Sequence, residues 1–132
     1  MKFLLDTDTC IYALKQADAL LQRLLATSRV DVGVSVITEA ELRTGAAKSS
    51  SPTKTLRLVQ NFLQPIAIVD FTSADAVAYA HIRAKLERAG RPIGPLDTLI
   101  AAQAVARRLV LVSNNEREFT RVSALEVENW SR

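Results

Sequence analysis

Short apolar runs alternate along this chain with longer stretches in which apolar residues return every third or fourth position. The runs at residues 2–5, 30–36, 66–69 and 109–112 are brief and rich in leucine, isoleucine or valine, so they predict strands. A short fifth strand is predicted at 126–130. Between the first two runs, Ile11, Leu14, Leu20, Leu21, Leu24 and Leu25 fall at helical spacing, predicting one helix over 9–27. Further helices are predicted at 38–46, 56–63, 73–89 and 96–107. The last of these is so rich in alanine and other apolar residues that it should be buried. Lys-Ser-Ser-Ser-Pro-Thr at 48–53 and Gly-Arg-Pro-Ile-Gly-Pro at 90–95 can continue neither rhythm and read as loops.

Strands that alternate with helices predict an α/β fold, a parallel twisted sheet of four to five strands with helices on both faces. No linker or internal repeat divides residues 1–132, so one domain is expected. Sites in such folds form beyond the carboxyl ends of the strands. Those positions carry acids and amides here. Asp6 and Asp8 follow the first strand, and Glu41 falls in what reads as the first turn of the helix after the second. Asp97 opens the buried helix, and Asn114 and Asn115 follow the fourth strand.

Carboxylates gathered from distant segments repel one another unless a cation joins them. Mg²⁺ prefers oxygen ligands, and once bound can activate water and steady the charge of a reacting phosphodiester. Each acid also has a plainer role. Asp6 or Asp8 would cap the helix that follows. Thr38-x-x-Glu41 fits a capping box, and Asp97 suits a helix N-terminus. The shared rim is what turns the set into a candidate site.

Composition narrows the chemistry. The chain has 132 residues, 48% of them hydrophobic, and a formal charge of +3 with a sequence pI near 9.4. A core can form, and the mild positive charge is compatible with a polyanionic partner. Cys10 is the only cysteine and allows no intramolecular disulfide. His81 is the only histidine, so this chain alone can run no two-histidine ribonuclease mechanism and build no zinc site with two histidines. The N-terminal run meets Asp6 too early for a signal peptide, and a cytoplasmic location is expected. Arg91, in the loop that leads to Asp97, is the best candidate for a phosphate contact. Arg83, Lys85 and Arg88 read as a solvated helix face, Cys10 as core, and Tyr12, Tyr79 and Trp130 as packing or a dimer seam.

Several segments, in order, resemble the PIN-domain family and its VapC-type toxins. They are Phe3-Leu4-Leu5-Asp6-Thr7, then Ser35-Val36-Ile37-Thr38-Glu39-Ala40-Glu41-Leu42-Arg43-Thr44-Gly45, then Gly90-Arg91-Pro92-Ile93-Gly94-Pro95-Leu96-Asp97 running into Leu99-Ile100-Ala101-Ala102. Leu111-Val112-Ser113-Asn114-Asn115, Glu118-Phe119 and Glu128-Asn129-Trp130 complete the set. The resemblance implies a Mg²⁺- or Mn²⁺-dependent endoribonuclease that cuts structured RNA, often tRNA. It also implies a homodimer and a cognate VapB-like antitoxin. By position, Asp6, Glu41 and Asp97 match the family's acids, with Asp6 and Asp97 at metal-ligand positions, and Ser113 and Asn115 match the polar stretch that closes the site. Two positions depart from the pattern. Asp8 stands where a neutral polar residue is usual, and Asn115 stands where an aspartate is frequent. The amide favours a single metal, and Glu118 reads as an acid on a surface helix, with compensation for Asn115 as its alternative role.

Three rivals use the same residues. Asp6-Thr7-Asp8-Thr9 matches the D-x-D-x-T motif of haloacid-dehalogenase-like phosphatases, in which Asp6 would be the nucleophile and Asp8 the acid–base group. A receiver-type signalling domain would need Asp70 as phosphoacceptor and a lysine after the last strand, and no lysine follows Lys85. A PIN-like module that binds RNA without cutting it is the third.

Overall fold

In the computed structural model, which describes residues 1–131, five strands form one parallel sheet in the order β3-β2-β1-β4-β5. They are β1 (Phe3–Leu5), β2 (Val32–Ser35), β3 (Ala67–Val69), β4 (Val110–Val112) and β5 (Val127–Glu128). The helices are α1 (Thr7–Leu14), α2 (Asp18–Leu25), α3 (Val36–Ala47), α4 (Pro52–Leu63), α5 (Ser73–Arg88), α6 (Pro95–Arg107) and α7 (Glu116–Phe119).

The central strands are apolar on both faces, as a sheet covered on both sides requires. Successive residues point opposite ways. Leu5 and Val112 join Cys10, Leu20, Val34, Leu42 and Trp130 in one core, packed by α1 to α4. Their neighbours Leu4 and Leu111 join Leu86, Ile100, Ala101, Ala104 and Phe119 in the other, packed by α5 to α7. The register sets Leu5 beside both Val34 and Val112, so Asp6, Ser35 and Ser113 come off one edge of the sheet. The chain winds outward from β1 to β2 and β3, then crosses back to β4. The switch point lies between β1 and β4, where α/β folds open a crevice.

Several predicted elements differ from what forms. α4 begins at Pro52, inside the stretch read as a loop and four residues ahead of the predicted helix, β2 begins at Val32 rather than residue 30, and α7 has no predicted counterpart. The helix expected at 9–27 is two helices, because Gln16 takes a left-handed φ of 58° and turns the chain between α1 and α2. The second strand ends at Ser35 rather than residue 36. The Ser35 hydroxyl accepts from the Ile37 amide at 2.9 Å and starts α3 there, ahead of two β-branched residues that read as strand. α5 ends in a Schellman motif. The Arg91 amide donates to Leu86 O and the Gly90 amide to Glu87 O, and Gly90 supplies the φ of 67° that the motif needs. The chain is thereby turned into the short connection that delivers α6 and Asp97 to the sheet edge. No helix among the described residues is long and apolar enough to cross a membrane.

Candidate active site

Asp6 is the first residue past β1, and only 2% of its surface is exposed. Its amide donates to Val112 O at 3.0 Å, tying it to β4, and its Oδ1 accepts from the Thr9 amide at 2.8 Å. Asp6 therefore caps α1, the plainer role, while occupying the candidate site. Thr9 adds a second tie, donating its hydroxyl to Val112 O at 3.0 Å. Burial pushes the Asp6 carboxyl above its usual range; the Ser113 hydroxyl and the Thr9 amide and hydroxyl pull it down, and Asp8 pushes it up. Asp8 itself is exposed in the first turn of α1.

Glu41 is not where the sequence reading put it. Because Ser35 caps α3, Glu41 lies in the second turn, and Thr38 is not a cap. Its Oε1 accepts instead from the Thr7 hydroxyl at 2.7 Å, across the gap between α1 and α3. Asp97 stands in the first turn of α6 behind the N-cap Gly94, which has no side chain to offer. Burial raises the Asp97 carboxyl to about 6, and repulsion from Asp6, Glu41, Glu118 and Asp8, in that order, adds to it. These four acids from α1, α3 and α7 thus act on one carboxyl.

Glu118 also departs from its sequence reading. It is half-buried rather than a surface acid, and its Oε2 accepts from Asn115 Nδ2 at 3.1 Å. The amide at position 115 thus holds a carboxylate whose charge reaches Asp97. Ser113 is buried at the end of β4, where its hydroxyl accepts from the Asn115 amide at 2.9 Å and fixes the turn into α7. Arg91 lies exposed in the connection before α6, with no side-chain partner among the described residues.

Residues outside this edge fall mostly as expected. Cys10 is buried core, Arg83, Lys85 and Arg88 are exposed, and Trp130 packs edge-on to Phe3 at 5.0 Å between ring centroids. His81, read as a structural mid-helix residue, is exposed on α5. Asp75, which the sequence reading passed over, is fully buried and paired with Arg107. Asp70 follows β3, an edge strand, and is exposed. The receiver reading therefore lacks its central aspartate.

The donors fit a hard divalent cation. They are all oxygens, no cation is among the causes that set the Asp97 carboxyl, and repulsion among these acids favours a positive ion between them. Among the described residues no three His, Cys, Asp or Glu side chains already converge as a closed cage. Mg²⁺ needs none, since it keeps several waters and takes one or two carboxylates.

A doubly wound parallel sheet with this acidic edge is the architecture of a PIN domain, and the PIN domain family model matches residues 3–125. The chain belongs to the PIN-domain family and, within it, to the VapC group. It is 40% identical to the tRNA(fMet)-specific endonuclease VapC of Shigella flexneri over 131 residues, 99% of each chain. It is 39% identical to ribonuclease VapC2 of Haemophilus influenzae (strain ATCC 51907 / DSM 11121 / KW20 / Rd), over 98% of each. Among solved structures it matches a chain of DNA-bound VapBC from Salmonella typhimurium with a TM-score of 0.95 and 38% identity over 98% of each chain. A chain of VapBC2 from Rickettsia felis, bound to a promoter DNA fragment, matches with a TM-score of 0.93 and 34% identity, over 98% of this chain and 99% of that one. The phosphatase reading of Asp6-Thr7-Asp8-Thr9 gives way to this kinship. Asp8, the acid–base group that reading would need beside Asp6, is exposed in the first turn of α1.

Proposed function

We propose that this chain is a divalent-metal-dependent endoribonuclease, the toxin of a VapBC-like pair, with its active site at the acidic edge. The observation that carries the reading is Asp97, a carboxyl held near 6 by burial and by four other acids drawn from separate elements. Kinship with VapC ribonucleases over nearly the whole chain supports the same reading. The whole of residues 1–132 is taken as one PIN-like domain, working in the cytoplasm.

Asp6 and Asp97 would hold Mg²⁺, for which Mn²⁺ can substitute. The ion supplies Lewis-acid activation of water and neutralises charge on the phosphodiester. Glu41 would complete the shell or orient the attacking water. Ser113 and Asn115 hold water or a phosphate oxygen, Arg91 contacts the RNA backbone, and Glu118 and Asp8 add negative charge. Water rather than the RNA 2′-hydroxyl attacks, leaving a 5′-phosphate and a 3′-hydroxyl. The substrate is structured RNA, taken to be tRNA, in line with the tRNA(fMet)-specific relative. A VapB-like antitoxin is the expected partner, in line with the VapBC neighbours, and the toxin is expected to be a homodimer.

The test is incubation of the purified protein with a tRNA pool, with Mg²⁺ and with chelator, beside Asp6→Asn. Cleavage by the wild type alone, and only with metal, is expected. Equal cutting by the variant, or indifference to chelator, would defeat the reading. Expression without the antitoxin should arrest growth, and Asp97→Ala should relieve the arrest. A protein that binds tRNA but never cuts it would revive the non-cleaving module.

A further inference from the structure

The Thr7 hydroxyl stands 2.7 Å from Glu41 Oε1 and 3.1 Å from the Thr38 hydroxyl. A hydroxyl has one proton to give. The shorter contact is to a carboxylate, the stronger acceptor, so Thr7 donates to Glu41 and accepts from Thr38. The two threonines are buried, while Glu41 is only partly so. The Glu41 carboxylate has no other side-chain hydrogen bond among the described residues. One oxygen is pinned and the other is left free.

We infer that Thr7 and Thr38 form a hydroxyl relay that positions Glu41, with Thr7 as the decisive positioning residue. This rests on the proposed ribonuclease reading of the same site. The physical reason is entropic. A glutamate reaching from the second turn of α3 has three rotatable bonds, and like charges drive it away from Asp97 toward solvent. A single strong hydrogen bond to a residue fixed by its neighbour Asp6 holds it at the edge. Thr7 follows Asp6 directly and belongs to the first turn of α1, so the strand end that sets Asp6 also sets the anchor of Glu41. Thr38 prevents the Thr7 hydroxyl from turning elsewhere. The relay thus spaces Glu41 relative to Asp6 whatever the position of α3's surface residues.

The experiment compares Thr7→Val, which keeps the shape and removes the donor, with Thr7→Ser, which keeps the donor. Thr38→Val and Glu41→Gln complete the set. Three quantities are read: tRNA cleavage as kcat and KM, Mn²⁺ affinity by calorimetry without RNA, and the thermal midpoint. Loss of a partner that orients a site group typically costs about 10- to 100-fold. Thr7→Val is expected to lower kcat by about that much with KM for tRNA within about twofold, and to weaken Mn²⁺ by about 10-fold. Thr7→Ser should restore both to within about threefold, and Thr38→Val should fall between. Thr7→Val added to Glu41→Gln should cost little more than Glu41→Gln alone, because the two act as one unit. A cleaving wild type with a folded Thr7→Val that matches it in kcat and Mn²⁺ affinity overturns the relay and leaves the ribonuclease reading intact. A wild type that never cuts defeats that reading, and the relay is then decided by Mn²⁺ affinity. Weaker binding in Thr7→Val with recovery in Thr7→Ser supports it. Equal binding, or no binding in any protein, overturns it.

Discussion

Asp75 and Asp97 occupy the same position on two helices packed against each other, the third residue of α5 and of α6, and the protein treats them in opposite ways. Asp75 closes a capping box. Its carboxylate accepts from the Thr72 amide at 2.7 Å and from the Thr72 hydroxyl at 3.2 Å, and Arg107 pairs with its other oxygen. Arg107 also donates to Asp70 O at 2.9 Å, so the pair stitches α5 and α6 to the end of β3. Asp97 has no such company. Gly94 at its N-cap offers no side chain, and the charges that act on its carboxyl, those of Asp6, Glu41, Glu118 and Asp8, are like its own. A helix N-terminus favours an acid in both cases. Only one of the two has been completed as structure. The other leaves repulsion unrelieved, a cost that a folded protein retains where a bound cation offsets it.

The largest effect should come from removing charge at the incomplete position. Asp97→Asn or Asp6→Asn is expected to lower tRNA cleavage by about 10³-fold or more, read as initial rates at saturating Mg²⁺. The protein should stay folded. At the completed position the outcome should invert. Asp75→Asn removes the carboxylate charge that Arg107 pairs with, at a cost of about 3 kcal/mol in urea unfolding. The exposure of Arg107, at 28% of its side chain, keeps this below the figure for a fully buried pair. Per folded molecule, cleavage by Asp75→Asn should match the wild type. Comparable loss of cleavage in both variants would erase the contrast.

A smaller effect appears with pH. The folded carboxyl of Asp97 titrates near 6 and the unfolded one near 3.8, so the folded state holds the proton more tightly. The Asp97 contribution to stability is fully present below the unfolded value and is lost as pH rises from about 4 through about 6. Asp6 is shifted the same way and adds to the slope. Solvent screening at a half-buried group keeps the Asp97 share to about 1 kcal/mol. Asp97→Asn should flatten its part of the slope and raise stability at pH 7 by about that amount, measured by chemical denaturation without metal. A stability difference between wild type and Asp97→Asn that moves in the wild type's favour as pH rises across that window would contradict the sign.

The smallest effect lies at the far end of α6. Arg108 takes a left-handed φ of 55° where glycine is favoured. Arg108→Gly should change stability by less than about 1 kcal/mol, because relief of strain is partly cancelled by added freedom in the unfolded chain. Cleavage should not change.

Much of this contrast could be read before the structure. The strands were legible because apolar residues run through both faces, and Asp6, Asp97 and Ser113 follow directly from strand ends and the Gly-Pro connection. Glu41 was found as an acid but misplaced, since Val36 and Ile37 look like strand and conceal a helix that Ser35 has already begun. Thr38-x-x-Glu41 then imitates a capping box that does not form. The break at Gln16 carries no glycine or proline to announce it. Glu118 was read as a surface acid because its burial depends on how α7 turns back over the edge. Asp75 was missed because its partner, Arg107, is 32 residues away. Thr7 was missed for the same reason, with Glu41 34 residues distant. Such pairings are set by tertiary packing, and the Thr72-x-x-Asp75 spacing was the one local signal for any of them.

The central claim is that Asp97 is an uncompensated carboxyl awaiting a cation, while Asp75 is already satisfied. Carboxyl-carbon NMR of the Asp97 side chain through an acid titration, without metal and with saturating Mg²⁺, measures it directly. The account predicts that Asp97 titrates near 6 without metal and drops by more than one unit with Mg²⁺. An Asp97 midpoint near 3.8 without metal, or one that Mg²⁺ leaves in place, would contradict it.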